Sequence, residues 1–243
     1  MVFWSPTQKP QALVGCVRTH TLETILRNIW DGIVTSAPLD QANLVLGVLG
    51  VWLMIKRTLW AFPVGLLAVT VQGVLFWRSR FPADATLQIF FLGALAWGWW
   101  HWVHDRGAAP ELPVTKLTWS GRIVTVVAAA GATCLWALTI GPWTGAVMPW
   151  RDAFIAAFSV AAQFLQARKN LENWPVWVAV NVVAIASYWR ADLAYTAFLY
   201  AIYLVLALVG WREWRLAMAK MNGLSERMAN AARQGTSAPT SGT

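Results

Sequence analysis

Residues 59–77 read LWAFPVGLLAVTVQGVLFW, with no charged side chain, fenced by Lys56-Arg57 on one side and Arg78 on the other. As a helix, these nineteen positions reach about 28 Å at ~1.5 Å per residue, close to the ~30 Å hydrocarbon core of a bilayer. The rest of the chain agrees with this stretch. Of 243 residues, 58% are apolar and only 12% charged, and the mean hydropathy is +0.49, whereas soluble domains carry roughly 25% charged residues. One water-soluble core could not hide so much apolar surface, and disordered chains lack such aromatic and branched content. Eighteen tryptophans suit a chain that meets membrane–water boundaries, where indole rings concentrate. The sequence is that of an integral membrane protein.

Working outward, seven stretches qualify as spans: approximately Leu39–Ile55, Leu59–Trp77, Ala85–Val103, Ile123–Ile140, Ala153–Ala167, Trp174–Trp189 and Leu193–Trp211. The first, fifth and sixth are short and need flanking residues to cross. Residues 1–38 show no cleavable signal peptide; they are expected at the membrane surface, with Thr21 to Trp30 helical. The small polar tail from Gly235 is expected to be disordered. The net charge of +8 and pI near 10.1 come from short basic clusters between apolar runs, a pattern of topogenic loops that does not point to nucleic acid. With seven crossings, Lys and Arg divide into seven on the side of the amino terminus and twelve on the other. The positive-inside rule then puts the carboxyl terminus in the cytoplasm and the amino terminus outside. Cys16 and Cys134 form no CxxC pair, and no disulfide framework is expected.

The chain also repeats itself. At an offset of 112 residues, without a gap from Asp40 to Trp102, Asp40 meets Asp152, Lys56-Arg57 meets Arg168-Lys169, and Pro63-Val64 meets Pro175-Val176. Trp77-Arg78 then meets Trp189-Arg190, Gly98-Trp99 meets Gly210-Trp211, and Trp102 meets Trp214. Three spans per unit with one between them give an all-α bundle in a 3+1+3 parallel-repeat arrangement. Its expected parts are residues 39–104 and 151–215 as repeats, 105–150 as a linker holding the fourth span, and 216–243 as a cytoplasmic tail. Parallel repeats are a transporter design that holds substrate between the halves.

No span holds Asp, Glu, Lys or Arg near its centre. Intramembrane ionisable groups are the usual carriers of ion coupling, so passive movement is favoured. Trp174, Trp177, Asn181 and Tyr188 step by three, four and seven and share one helix face. That face offers two indole planes and an amide, with Asn173 adjoining; the alternative is that the rings pack or form a belt and Asn181 bonds a neighbouring helix. Gln88 and Trp97 in the third span, and Tyr195, Tyr200 and Tyr203 in the seventh, are further candidates. Trp99, Trp100 and Trp102 read better as an interfacial belt. His101, His104 and Asp105 read as a solvated helix end, and no metal or cofactor site is expected. No GxxxxGK[ST], HExxH or GxSxG motif is present, so no enzymatic activity is expected.

The segment ARKNLENWPVWVAVN, Ala167 to Asn181, resembles the signature of PnuC-type nicotinamide riboside transporters: a basic pair followed by Glu-Asn-Trp-x-x-Trp-x-x-x-Asn. Leu87-Gln-Ile-Phe-Phe and the run from Trp97 to Trp102 resemble two more stretches of that family, and the similarity spans roughly Pro38 to Trp214. It implies a seven-helix fold similar to a full-length SWEET sugar transporter, a homotrimer in a bacterial inner membrane, and facilitated uptake of an unphosphorylated B-vitamin nucleoside. Nicotinamide riboside is the first choice, with a cytoplasmic kinase trapping it. By the same resemblance Trp174, Trp177 and Tyr188 surround the ring, while Asn181 and Gln88 bind ribose hydroxyls or the carboxamide. Ala68 stands where the family often has Asn, Pro175 follows the first motif tryptophan, and Trp97 replaces a more usual Tyr. Thiamine, riboflavin or a deoxynucleoside are the alternatives within the family. A membrane-embedded enzyme or assembly factor is the alternative outside it.

Overall fold

A computed structural model of the chain describes residues 22–35, 37–79, 82–107, 109, 111–139, 148–191 and 193–236. Cys16, the rest of residues 1–21 and the last seven tail positions, 237–243, lie outside these. The described chain is all-helical. Eight helices follow in order: α1 (Leu22–Thr35), α2 (Pro38–Ile55), α3 (Ala61–Arg78), α4 (Pro82–His104), α5 (Trp119–Thr139), α6 (Pro149–Ala167), α7 (Asn173–Arg190) and α8 (Ala194–Thr236). In lipid each backbone N–H and C=O must find a partner within its own segment, which leaves the helix as the solution for these apolar runs. Helices α2, α3, α5 and α8 are long and apolar enough to cross a membrane by length and composition. The remaining apolar helices α4, α6 and α7 carry amides together with most of the clustered indoles, which dilute their hydropathy.

Prolines set several helix starts. Pro38 and Pro149 open α2 and α6, where the missing N–H has no intrahelical acceptor to lose. Pro63 and Pro175 fall in the first turns of α3 and α7 for the same reason. The ends of α2 and α6 are alike: Arg57 (φ 58°) and Lys169 (φ 57°) both adopt the left-handed conformation. Thr58 N–H then bonds Leu53 O at 3.2 Å and Asn170 N–H bonds Leu165 O at 2.9 Å, the six-to-one closure that ends a helix when its C′ residue is left-handed. Glycine is the usual occupant there, so the basic side chains at both positions have work to do outside the backbone.

Helices α2, α3 and α4 pack in sequence, as do α6, α7 and α8; α4 also packs on α6 and α2 on α8. Helix α5 rests on α6 through Ala129, Thr133 and Ala137, a small-residue stripe at four-residue spacing, while Ile123, Val124, Val127, Leu135 and Leu138 face outward. Small residues let helix backbones approach where lipid supplies no hydrophobic drive for association.

Two expectations are corrected. The last helix runs past the end of the expected span, Trp211, to Thr236, so the first two positions of the tail expected to be disordered from Gly235 are helical. Residues 216–234 are rich in Ala, Met, Leu and Arg and free of Pro, and such side chains favour helix. Trp102 is not in an interfacial belt. It is 2% exposed, whereas its neighbours Trp99 and Trp100 are open, because its indole N–H reaches across to Ala167 O at 2.9 Å.

Candidate functional site

The face of α7 picked out by spacing points inward. Asn173, Trp174, Trp177, Asn181 and Tyr188 are all buried. Trp174, Trp177 and Asn181 line a cavity of ≈ 30 Å³ together with Val51 of α2, Gln166 of α6, and Tyr203 and Ala207 of α8. That is room for about one water, whereas ligand pockets run ~300–1,000 Å³. A vitamin-sized guest would fit there only if the surrounding helices moved apart.

Trp177 Nε1–H donates to Gln166 Oε1 at 3.0 Å. Trp174 is 1% exposed and, among the described residues, its Nε1–H has no hydrogen-bond acceptor, an unusual state for a buried donor that costs ~1–3 kcal/mol. The Trp174 ring is fixed from behind by an edge contact with Trp214, centroids 5.3 Å apart at 89°. It lies so close to Gly210 that a Cβ there would stand 2.4 Å from Trp174 Cη2. No lining residue is Asp, Glu, His, Lys or Arg.

The other expected residues lie outside this lining. Asn173 turns back, its Nδ2 donating to Asn170 O at 2.6 Å. Tyr188 stacks on Tyr200 with centroids 5.3 Å apart and 21° between planes, beneath the Arg151 guanidinium at 5.6 Å. Tyr188 is seven positions beyond Asn181 on the helix, ~10 Å along its axis. Gln88 is buried on α4 with its Nε2 donating to Asp84 O at 3.4 Å. Trp97 is stacked on Phe164 and on His101, each with centroids 5.4 Å away. Gln166 and Val51 were not singled out from the sequence. For Gln166 the signal was available, an amide inside an apolar span, which wants an interior partner.

Where α2 and α6 end, a charge cluster closes the bundle. Arg57 Nε (3.3 Å) and Lys169 Nζ (3.2 Å) both reach Glu111 Oε2. The Lys169 side chain is wholly buried, with its ammonium 4.3 Å from the centroid of the Trp102 ring. Burial pushes its pKa down to about 8, against the opposing pull of Glu111. The segment after Glu111 is held by paired backbone bonds, Thr115 N–H to Lys169 O (3.2 Å) and Leu171 N–H to Thr115 O (2.8 Å). Arg122 clamps Glu172 at 2.7 Å. Among the described residues no three His, Cys, Asp or Glu side chains group as metal ligands; His101 Nδ1 pairs with Asp105 one turn on, at 2.5 Å.

Comparison with known proteins adds an independent line. The family described as nicotinamide mononucleotide transporter matches residues 38–216. The riboflavin/roseoflavin transporter RibM of Streptomyces davaonensis is 30% identical over 180 residues, covering 73% of this chain and 84% of that one. The nicotinamide riboside transporter PnuC of Escherichia coli is 25% identical over 201 residues, covering 72% and 84%. A crystal structure of the vitamin B3 transporter PnuC superposes with a TM-score of 0.61 at 18% identity, over 81% of this chain and 90% of the other, a likeness of fold.

Proposed function

The chain belongs to the nicotinamide mononucleotide transporter family, the membrane transporters that include PnuC, and from that premise we propose that it moves a B-vitamin nucleoside across the membrane by facilitated diffusion. The first choice of substrate is nicotinamide riboside, kept inside by a cytoplasmic kinase. The observation that carries the reading is the inward face of α7: Trp174, Trp177 and Asn181 meet at one cavity between α2 and the α6–α8 half. Two indoles offer stacking and cation–π attraction worth ~2 kcal/mol to a desolvated pyridinium, and the amide offers a donor and an acceptor to ribose or carboxamide. Tyr188, Tyr200 and Gln88, a further layer toward the other end of α7, suit the approach to this site; Asn173 supports its first turn, and Trp97 braces α4 on α6.

The architecture proposed is a seven-span, SWEET-like 3+1+3 bundle with α2–α4 (residues 39–104) and α6–α8 (151–215) as parallel halves. Helix α5 lies between them within 105–150, with 1–38 at the surface and 216–243 as the tail. Its support is the 112-residue register, which recurs in the left-handed Arg57 and Lys169 and in the Phe62–Trp102 and Trp174–Trp214 edge contacts. Basic-residue bias supports an outside amino terminus and a cytoplasmic carboxyl terminus in a bacterial inner membrane, and family resemblance supports a homotrimer.

Riboflavin is the second reading. RibM is the 30%-identical relative, and Ala68, buried on α3, brings no amide to the bundle. Reconstituted protein separates the readings. Saturable uptake of labelled nicotinamide riboside or riboflavin, unchanged when proton and sodium gradients are collapsed, supports the uniporter and names its cargo. Accumulation that depends on either gradient refutes passive transport.

A further inference from the structure

Gln166 stands eleven positions before Trp177, across the turn between α6 and α7, and both line the cavity. An indole N–H donates and never accepts, so the bond from Trp177 Nε1 at 3.0 Å fixes which way round the Gln166 amide lies, Oε1 toward the ring. The Nε2 amino group is then the part of Gln166 left for a guest. At the cavity this uses up one acceptor and leaves Gln166 Nε2 as a donor, beside the Asn181 amide and the Tyr203 hydroxyl, each of which can both donate and accept. The first half offers no counterpart, since position 54, in register with Gln166, is Met.

We infer that Gln166 is a specificity-determining residue: its amino group donates to a carbonyl oxygen carried on the substrate's ring system, while its oxygen holds Trp177 in the stacking plane. This rests on the vitamin-uptake reading and narrows it to rings bearing a carbonyl, such as a carboxamide-substituted pyridinium or a flavin. Thiamine, whose two rings carry no carbonyl, is the excluded class. The warrant is the asymmetry of hydrogen bonding in a dry site: a buried donor left unpaired costs far more than a satisfied one gains, so a site built to donate rejects a ligand that cannot accept.

The test uses the purified full chain and its Gln166→Met variant, titrated calorimetrically with nicotinamide riboside, the N-ribosyl pyridinium lacking the carboxamide, riboflavin and thiamine. The wild type is expected to prefer its carbonyl-bearing ligand about tenfold or more over the matched ligand without one, and Gln166→Met to bring that ratio near unity. Equal weakening of both ligands in the variant would overturn the inference and leave Gln166 as a brace for Trp177. The comparison of the two pyridinium nucleosides on wild type needs no variant: equal affinity there, or thiamine bound as tightly as the carbonyl ligands, also overturns it while the uptake reading stands. Binding of none of the four by folded protein sinks the uptake reading itself.

Discussion

Trp102 and Trp214, 112 residues apart in sequence, face each other with ring centroids 6.0 Å apart. Each is bonded into the opposite half. Trp102 Nε1–H donates to Ala167 O of α6 at 2.9 Å, and Trp214 Nε1–H to Met54 O of α2 at 3.2 Å. Behind them Phe62 and Trp174 make matching edge contacts, 5.0 and 5.3 Å between centroids. Four rings thus seal one end of the bundle, on the side where α2 and α6 finish.

Replacing Trp102 or Trp214 by Phe keeps an aromatic ring and removes one cross-half bond. Each is expected to cost about 1–2 kcal/mol, the net worth of a buried bond together with the packing lost when indole becomes phenyl. Lower melting temperatures in detergent for both variants, by similar amounts, check this; a variant that melts with the wild type shows its bond to be idle.

Gly210 is the position where an added methyl has nowhere to go. Gly210→Ala puts a Cβ 2.4 Å from Trp174 Cη2, and overpacking of this kind costs roughly 1–3 kcal/mol. The ring it displaces lines the cavity, so affinity for the transported vitamin is expected to drop along with stability. Gly131→Ala on α5 meets nothing within 4 Å and, by helix propensity, is expected to be neutral or stabilising by up to ~1 kcal/mol. Calorimetric titration and thermal melts of the two variants decide the contrast.

Much of this arrangement was legible before any coordinates, because lipid imposes few solutions. Apolar helices followed from uncharged runs, and the inward face of α7 from the spacing of Trp174, Trp177 and Asn181. What the pattern could not supply was pairing across space. Gln166 belongs with Trp177 only because the α6–α7 turn brings them together. Trp97 and Trp102 share a short aromatic run, yet one stacks on Phe164 at the outside and the other enters the seam between halves. Tyr188 was in phase with Asn181 on the helix but too far along its axis to share the cavity. The length of α8 escaped because charge and polarity mark where lipid ends, which need not be where a helix ends.

Asn181 is the amide of the cavity wall, 4% exposed. Asn181→Leu keeps the branched heavy-atom skeleton and removes a donor and an acceptor, so it is expected to weaken vitamin binding by about tenfold or more while folding is retained. Uptake into proteoliposomes at sub-saturating substrate reads this directly. An unchanged rate would assign Asn181 to packing.

Lys169 makes stability depend on pH. Its folded pKa of about 8 lies below the ordinary lysine value of ~10.4, so between these values the unfolded chain holds a proton the folded one has released, and stability rises with pH across that window. Below pH ~8 the penalty is fully present and the curve is flat. Melting temperature is therefore expected to climb from pH 7.5 to 9.5, relative to Lys169→Met as the reference lacking this titration. Glu111→Gln removes the attraction that holds the proton and should start the climb at lower pH. A wild-type curve parallel to that of Lys169→Met would refute the assignment.

Arg57 and Lys169 occupy equivalent left-handed positions, yet their replacement by Gly should differ. Glycine relieves the conformational cost at either site, about 1 kcal/mol. At Arg57 the loss is a bond to Glu111 between side chains 22% and 39% exposed, and partly solvated pairs are worth ~0–1 kcal/mol. The two terms nearly cancel, so Arg57→Gly is expected within about 0.5 kcal/mol of wild type. At Lys169 the side chain is wholly buried and lies over Trp102. Its removal leaves a void beside the ring and strips Glu111 of its second cation, a packing loss of ~2 kcal/mol or more by analogy with other buried truncations. Melts of the two glycine variants side by side test the difference. Equal effects would mean that the two halves bear on Glu111 alike, and that burial of Lys169 contributes nothing of its own.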